Sequence, residues 1–192
     1  MSIEELAEEV DNCRKCGLWK TRNNVVVGGG SIDSEIMLVG EAPGYNEDKQ
    51  GEPFVGRAGD VLDMLLETIG IGRENVYIAN ILKCRPPKNR NPMKEEIKAC
   101  TPYLDRQIEI VRPRIICPMG NFAAGYIMEK FGLKPDSIGS IHGQVFKIRN
   151  LLLKGSIIPL YHPAAAVYNP DLKAVLMQDF RLVSRVKNDQ KI

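Results

Sequence analysis

The sequence predicts an α/β fold in three layers, a central parallel sheet of four strands with helices on both faces. Four short apolar runs rich in β-branched residues read as strands: Glu35 to Val39, Val76 to Ile81, Arg114 to Pro118 and Ser156 to Tyr161. Stretches of helical period lie between them, and alternating strand and helix is the pattern of a parallel sheet buried on both sides.

The first helix is expected at Ile3 to Cys13. The second spans Gly59 to Ile69, where Val61, Leu62, Leu65, Leu66 and Ile69 form one stripe. Two more are expected at Pro92 to Val111 and Asn121 to Phe131. Ile141 to Ile148 alternates around Gly143 and reads as a small hairpin or edge strand. A last helix covers Asp171 to Val186, where Asn169 or Asp171 can cap and Pro170 suits the first turn. No internal repeat, low-complexity tract or linker divides the chain, so residues 1–192 are expected to form one domain. A length of 192 residues with 44% hydrophobic content suffices for one core.

No apolar run reaches membrane-spanning length, and the acidic start MSIEELAEEV lacks the basic and apolar regions of a signal peptide. A cytoplasmic, non-membrane protein is expected. The net charge of +2 excludes a globally polyanion-seeking protein. Locally the balance differs: from Lys83 to Arg114, nine basic residues face four acidic ones, a net +5.

Five cysteines in a reducing compartment point to metal ligation or catalysis rather than disulfides. Cys13 and Cys16 make a C-x2-C pair, Cys84 and Cys100 add two thiols in polar surroundings, and Cys117 sits inside an apolar strand as a core residue. Four thiolates suit either zinc or a [4Fe–4S] cluster, and spacing does not separate the two.

The polar residues fall where the strands end. Gly40-Glu41-Ala42-Pro43-Gly44 follows the first strand, Asn80 ends the second, Gly120-Asn121 follows the third and His162-Pro163 the fourth. Ligands of open α/β sheets bind outside the carboxyl ends of the strands, so four segments deliver polar groups to one rim.

GEAPGYNEDKQGEPFVGRAG, NILKCRPPKNRNP with Cys100, YHPAAAVYNP and the early C-x2-C together resemble the family 4 uracil-DNA glycosylases, the iron–sulfur members of that superfamily. The match is collinear from Cys13 to about Pro170. The resemblance implies a [4Fe–4S] cluster on Cys13, Cys16, Cys84 and Cys100, and uracil-containing DNA, single- or double-stranded, as partner. The chain is expected to act as a monomer, and the sequence carries no reading of a partner such as a sliding clamp.

A glycosylase must hold an extruded base by its face and read its pairing edge. By the resemblance, Asn80 reads uracil O4 and N3–H, Phe54 stacks under the base beside Pro53, and Gly40, Glu41 and Ala42 bring backbone amides to a uracil carbonyl. Glu41 positions water or stabilises the sugar cation, Glu47 walls off uracil C5 against thymine, and His162 donates to uracil O2. Asn80, Glu41 and His162 are thus the expected catalytic residues. Lys83, Arg85, Lys88 and Arg90 are expected to bind DNA, with Val167 or Tyr168 as the wedge of the loop after His162. His142 is expected to be structural. Many relatives carry an Asp where this chain has Ala42, which leaves the water to Glu41, backbone carbonyls or Asn89.

No lysine in these motifs is placed to attack the sugar, so monofunctional hydrolysis is expected. A non-catalytic metal-bearing DNA-binding module and an electron-transfer protein are the competitors. Neither needs Glu41, Asn80 and His162 on one rim.

Overall fold

A computed structural model describes residues 2–149 and 154–189. The chain opens with helix α1 (Ile3–Asp11), closed by reciprocal bonds between Ser2 and Glu5: Ser2 Oγ accepts from the Glu5 amide, and Glu5 Oε2 from the Ser2 amide. A two-residue strand β1 (Gly29–Gly30) precedes β2 (Ile36–Gly40). Helices α2 (Tyr45–Gln50) and α3 (Arg57–Glu67) lead to β3 (Tyr77–Asn80). Helix α4 (Lys94–Val111) ends on Arg112 in left-handed geometry, followed by Pro113, which turns the chain into β4 (Ile115–Pro118). Then come α5 (Asn121–Lys130), α6 (Ile138–Ile141), β5 (Phe146–Arg149), β6 (Lys154–Ile157), α7 (Pro163–Tyr168) and α8 (Asp171–Asp189).

The sheet order is β1-β3-β2-β4-β6-β5. The four inner strands β3, β2, β4 and β6 run parallel, as the sequence predicts. The two outer strands pair antiparallel, so the complete sheet is mixed and has six strands. The expected edge strand lies at Phe146–Arg149. The first half of that segment instead ends α6 and turns at Gly143. The fourth predicted strand starts earlier and stops earlier than expected, because Pro159 has no N–H for the ladder; Leu160 rejoins it through a bridge to Met119.

Successive strand residues alternate between two cores. Met37 and Val39 point to a layer with α1, α4 and α5, where Leu6, Val10, Leu104, Ile108 and Ile127 are buried. Ile36 and Leu38 point to the opposite layer, packed on Leu62, Leu65 and Leu66 of α3 and on Leu176 and Phe180 of α8. The result is the expected three-layer arrangement. No helix among the described residues is long and apolar enough to cross a membrane.

Candidate active site

The carboxyl ends of the inner strands open into a cleft of about 540 Å³ whose lining includes Glu41, Ala42, Glu47, Phe54, Asn80 and His162. These come from three strand exits, from helix α2 and from the segment that follows it. Register explains their meeting: Gly40 and Asn80 are direct partners across β2 and β3, and the Ile81 and Leu82 amides bond to the carbonyls of Gly40 and Glu41.

Gly40 is required by this proximity. A Cβ there would lie 2.3 Å from Asn80 Oδ1 and 2.9 Å from Phe54 Cζ. Asn80 is buried, and its Oδ1 has no hydrogen-bond partner among the described residues. A buried carboxamide oxygen without a partner is costly in a folded protein, and at a cleft floor it is available to a ligand donor.

Phe54 adopts a left-handed backbone (φ 54°), which a bulky side chain takes only when its surroundings enforce it. Three neighbours do so. Arg73 donates to the carbonyls of Pro53 and Phe54, Glu47 Oε1 accepts the amides of Val55 (2.9 Å) and Gly56 (3.0 Å), and Gly59 leaves space where a Cβ would sit 1.9 Å from the Phe54 carbonyl oxygen. The Phe54 ring then stacks on His162 with centroids 5.5 Å apart and planes 26° apart.

Glu47 lines the cleft, but its carboxylate is also committed to the backbone, since Oε2 accepts the Gly44 amide that starts α2. Glu41 is half-buried, and removal from water raises its pKa above the ordinary carboxylate value. His162 caps α7, its Nδ1 accepting from the Ala164 amide at 3.2 Å. Burial pushes its pKa down to about 4, opposed by the Glu47 carboxylate, so the ring is neutral near pH 7. With Nδ1 accepting, the proton of the neutral ring is assigned to Nε2. His142 is apart from the cleft lining, bonding Asp179 Oδ2 through Nδ1 at 2.8 Å and packing on Tyr161.

The basic strip divides. Lys83, expected on the DNA-facing surface, is only 1% exposed, so this expectation is corrected: its Nζ donates inward to the Asn80 carbonyl (2.8 Å) and Gln107 Oε1 (2.5 Å). Lys88 is exposed at a left-handed turn, Arg85 bonds Asn89 Oδ1 at 2.7 Å, and Arg90 makes a two-pronged pair with Glu96 (2.9 and 2.6 Å). The expected loop after His162 is helix α7, and Val167 and Tyr168 on it both line the cleft. Tyr45, Arg57 and Arg73 escaped the sequence reading. The first two lie inside the GEAPGYNEDKQGEPFVGRAG motif, which is the signal that could have found them.

On the α4 side of the sheet, Cys13, Cys16, Cys84 and Cys100 line one narrow hollow with Arg22, Lys83 and Tyr103. Donors already point at the sulfurs: Arg22 Nη1 at Cys84 Sγ (3.3 Å), the Lys83 amide at Cys100 Sγ (3.2 Å) and the Lys15 amide at Cys13 Sγ (3.5 Å). Among the described residues no three His, Cys, Asp or Glu side chains are gathered to hold a single metal ion. Cys117 lies in the core of β4, as expected.

Replacing Gly40 by Ala is expected to displace Asn80 or Phe54 and lower the single-turnover rate of whatever reaction the cleft carries by about 10²-fold, the cost of a misplacement near 1 Å. Equal rates for Gly40→Ala and the unaltered protein would contradict this geometry.

The model of the uracil DNA glycosylase superfamily matches residues 27–181. Over all 192 residues the chain is 47% identical to a type-4 uracil-DNA glycosylase of Saccharolobus solfataricus, covering 89% of that protein. It is 48% identical to one of Sulfurisphaera tokodaii, over 95% of this chain and 83% of the relative. It is 45% identical to one of Archaeoglobus fulgidus, over 96% and 93%. A cleft built on strand exits and identity near one half over essentially the whole length agree, and the chain belongs to the type-4 uracil-DNA glycosylases of the uracil-DNA glycosylase superfamily.

Proposed function

We propose that the chain hydrolyses the N-glycosidic bond of deoxyuridine in DNA, releasing uracil and leaving an abasic site, as a single-domain, monomeric repair enzyme of the cytoplasm. The observation that carries the reading is the buried Asn80 Oδ1, without a partner among the described residues, beside Phe54 and the neutral imidazole of His162.

An extruded uracil stacks on Phe54 and offers its N3–H to Asn80 Oδ1, while the Asn80 amide group donates to O4; cytosine reverses both roles. The backbone of Gly40, Glu41 and Ala42 receives the base closely, and Glu47 bounds its C5 side. As the C1′–N1 bond breaks, its electron pair moves onto the base. The Nε2–H of His162 meets the charge growing on O2, a fixed donor that needs no rearrangement during the step. Water adds to C1′ of the cationic sugar and gives up a proton. Glu41 is assigned to orient that water, because a carboxylate of raised pKa is the better proton acceptor. Arg85, Lys88 and Arg90 are assigned to the phosphates, and Val167 and Tyr168 to the gap left in the base stack.

Cys13, Cys16, Cys84 and Cys100 are assigned to a [4Fe–4S] cluster. Four thiols lining one hollow, with donors directed at three of them, fit that group. Bound there, it would brace the wall of the cleft from behind rather than take part in bond cleavage.

Incubation with a uracil-containing single-stranded oligonucleotide, followed by alkaline cleavage, should give one break at the uracil and none in the thymine control. His162→Ala should slow that release by about 10²–10³-fold. Retention of the full single-turnover rate would remove His162 from the chemistry.

The acid limb of the rate profile is expected from Glu41. Its folded pKa is raised, so activity falls as pH drops through a value above that of an ordinary carboxylate, before His162 protonates near 4. Glu41→Gln should be about 10²–10⁴-fold slower and flat across that range; an unchanged limb in this variant would place the titrating group elsewhere.

Protein prepared without oxygen should be coloured and contain close to four irons per chain. Cys100→Ser should lose colour and iron together, and a Cys100→Ser protein with full iron content would refute the ligand assignment.

A further inference from the structure

Two of the exposed large apolar side chains of this protein, Tyr45 and Tyr168, line the same cleft. Tyr45 is 58% exposed and is the first residue of α2. The guanidinium carbon of Arg85 lies 5.1 Å from its ring centroid. That guanidinium is not loose: its Nε donates to Asn89 Oδ1, and Asn89 sits in a tight turn in which Lys88 and Asn89 both have positive φ and the Asn89 amide bonds the Pro86 carbonyl. Tyr168, 78% exposed, has its own guanidinium, that of Arg57, at 5.8 Å.

The two pairs belong to different strand exits. Arg85 follows β3 and Tyr168 ends the helix that follows β6, and β3 and β6 are the outermost strands of the parallel part of the sheet. Phe54, the proposed seat of the extruded base, belongs to the same cleft.

A single exposed tyrosine is ordinary on a protein surface. An exposed tyrosine braced by a fixed guanidinium at the mouth of a base-sized cleft is different, because the cation covers the ring on one side and the other side remains open. An open aromatic face beside positive charge is the chemistry that binds single-stranded nucleic acid: the base stacks on the ring, and the neighbouring phosphate meets the cation. Such a contact tolerates any base, as a repair enzyme that meets uracil in every sequence context requires.

We infer that Tyr45, held by Arg85, is a stacking platform for the nucleotide adjacent to the extruded one, at the part of the cleft formed by the β3 exit. The inference rests on the uracil-release reading and adds to it a positioning contact outside the base slot. Duplex melting is not needed for it, so the contact operates on single-stranded DNA.

The test compares the unaltered protein, Tyr45→Ala and Tyr45→Phe on a single-stranded oligonucleotide with one central uracil, and on the same oligonucleotide with abasic tetrahydrofuran residues on both sides of the uracil. Tyr45→Ala should raise KM about 5- to 100-fold on the first substrate, the range of one base–aromatic stack. Its kcat should stay within about two-fold, since the ring does not touch the reacting bond. Tyr45→Phe should restore the original KM, and the difference between Ala and Tyr should vanish on the substrate without flanking bases.

An unchanged KM for Tyr45→Ala overturns the inference, as does an equal penalty on both substrates, which would mean that the ring contacts backbone or supports the fold. If the unaltered protein released no uracil at all, the activity reading would fail instead. The platform would then still be read from oligonucleotide binding by fluorescence anisotropy, with Tyr45→Ala weaker than Tyr45→Phe only when flanking bases are present.

Discussion

The buried ammonium of Lys83 is the point on which both halves of the molecule's functional end depend. Its Nζ holds the carbonyl of Asn80 and the side chain of Gln107, and Gln107 in turn donates to the Val27 carbonyl and the Tyr77 hydroxyl. Its own amide donates to Cys100 Sγ, one residue before Cys84. One residue therefore touches the strand end proposed to read the base and the hollow lined by thiols. Loss of water pulls its pKa down to about 8, while the nearby sulfurs of Cys100 and Cys84 act in the opposite sense, favouring the charged form. A buried charge of this kind adds little net stability, but deleting a partner from such a network is expensive, so the arrangement fixes position more than it adds strength.

The cleft is held by the same economy of shared partners. Phe54 is in an unfavourable backbone conformation, and Arg73, Glu47 and the missing side chain of Gly59 keep it there. Strain of this sort costs on the order of 1–3 kcal/mol and persists only where several contacts over-determine it. Glu47 illustrates the point: the carboxylate proposed to border uracil C5 is also the group that ties the start of α2 to the segment after Phe54. Substituting it would change the wall and the floor together.

The parallel strands were legible because β2, β3 and β4 are fully buried and mostly apolar, and the exits of β2, β3 and β6 bring Gly40, Asn80 and His162 to one rim. The edge strands were less so. Gly29 and Gly30 have no side chains from which to read a period, and β1 exists through pairing with Tyr77 and Ile78. Helix α2, with the sequence YNEDKQ, has no apolar stripe, and α7 is a six-residue run, PAAAVY, too short to show a period, whose start is marked only by His162 and Pro163. Lys83 was misread for a general reason: lysines are almost never fully buried, and a local charge pattern cannot report which one turns inward. Tyr45 stood in a recognised motif, but its significance comes from Arg85, forty residues away in the chain, lying over its ring.

The bracing of Phe54, the proposed seat of the extruded base, has a consequence for the end of the proposed catalytic cycle. A floor fixed before the base arrives does not spend free energy on loop ordering, so stacking and edge recognition are fully available to whatever planar ring occupies it. They do not depend on the glycosidic bond. The detached pyrimidine fits the same seat as the tethered one, and departure of the two halves of the cleaved nucleotide is then governed by how soon the DNA strand lets go and opens the way out.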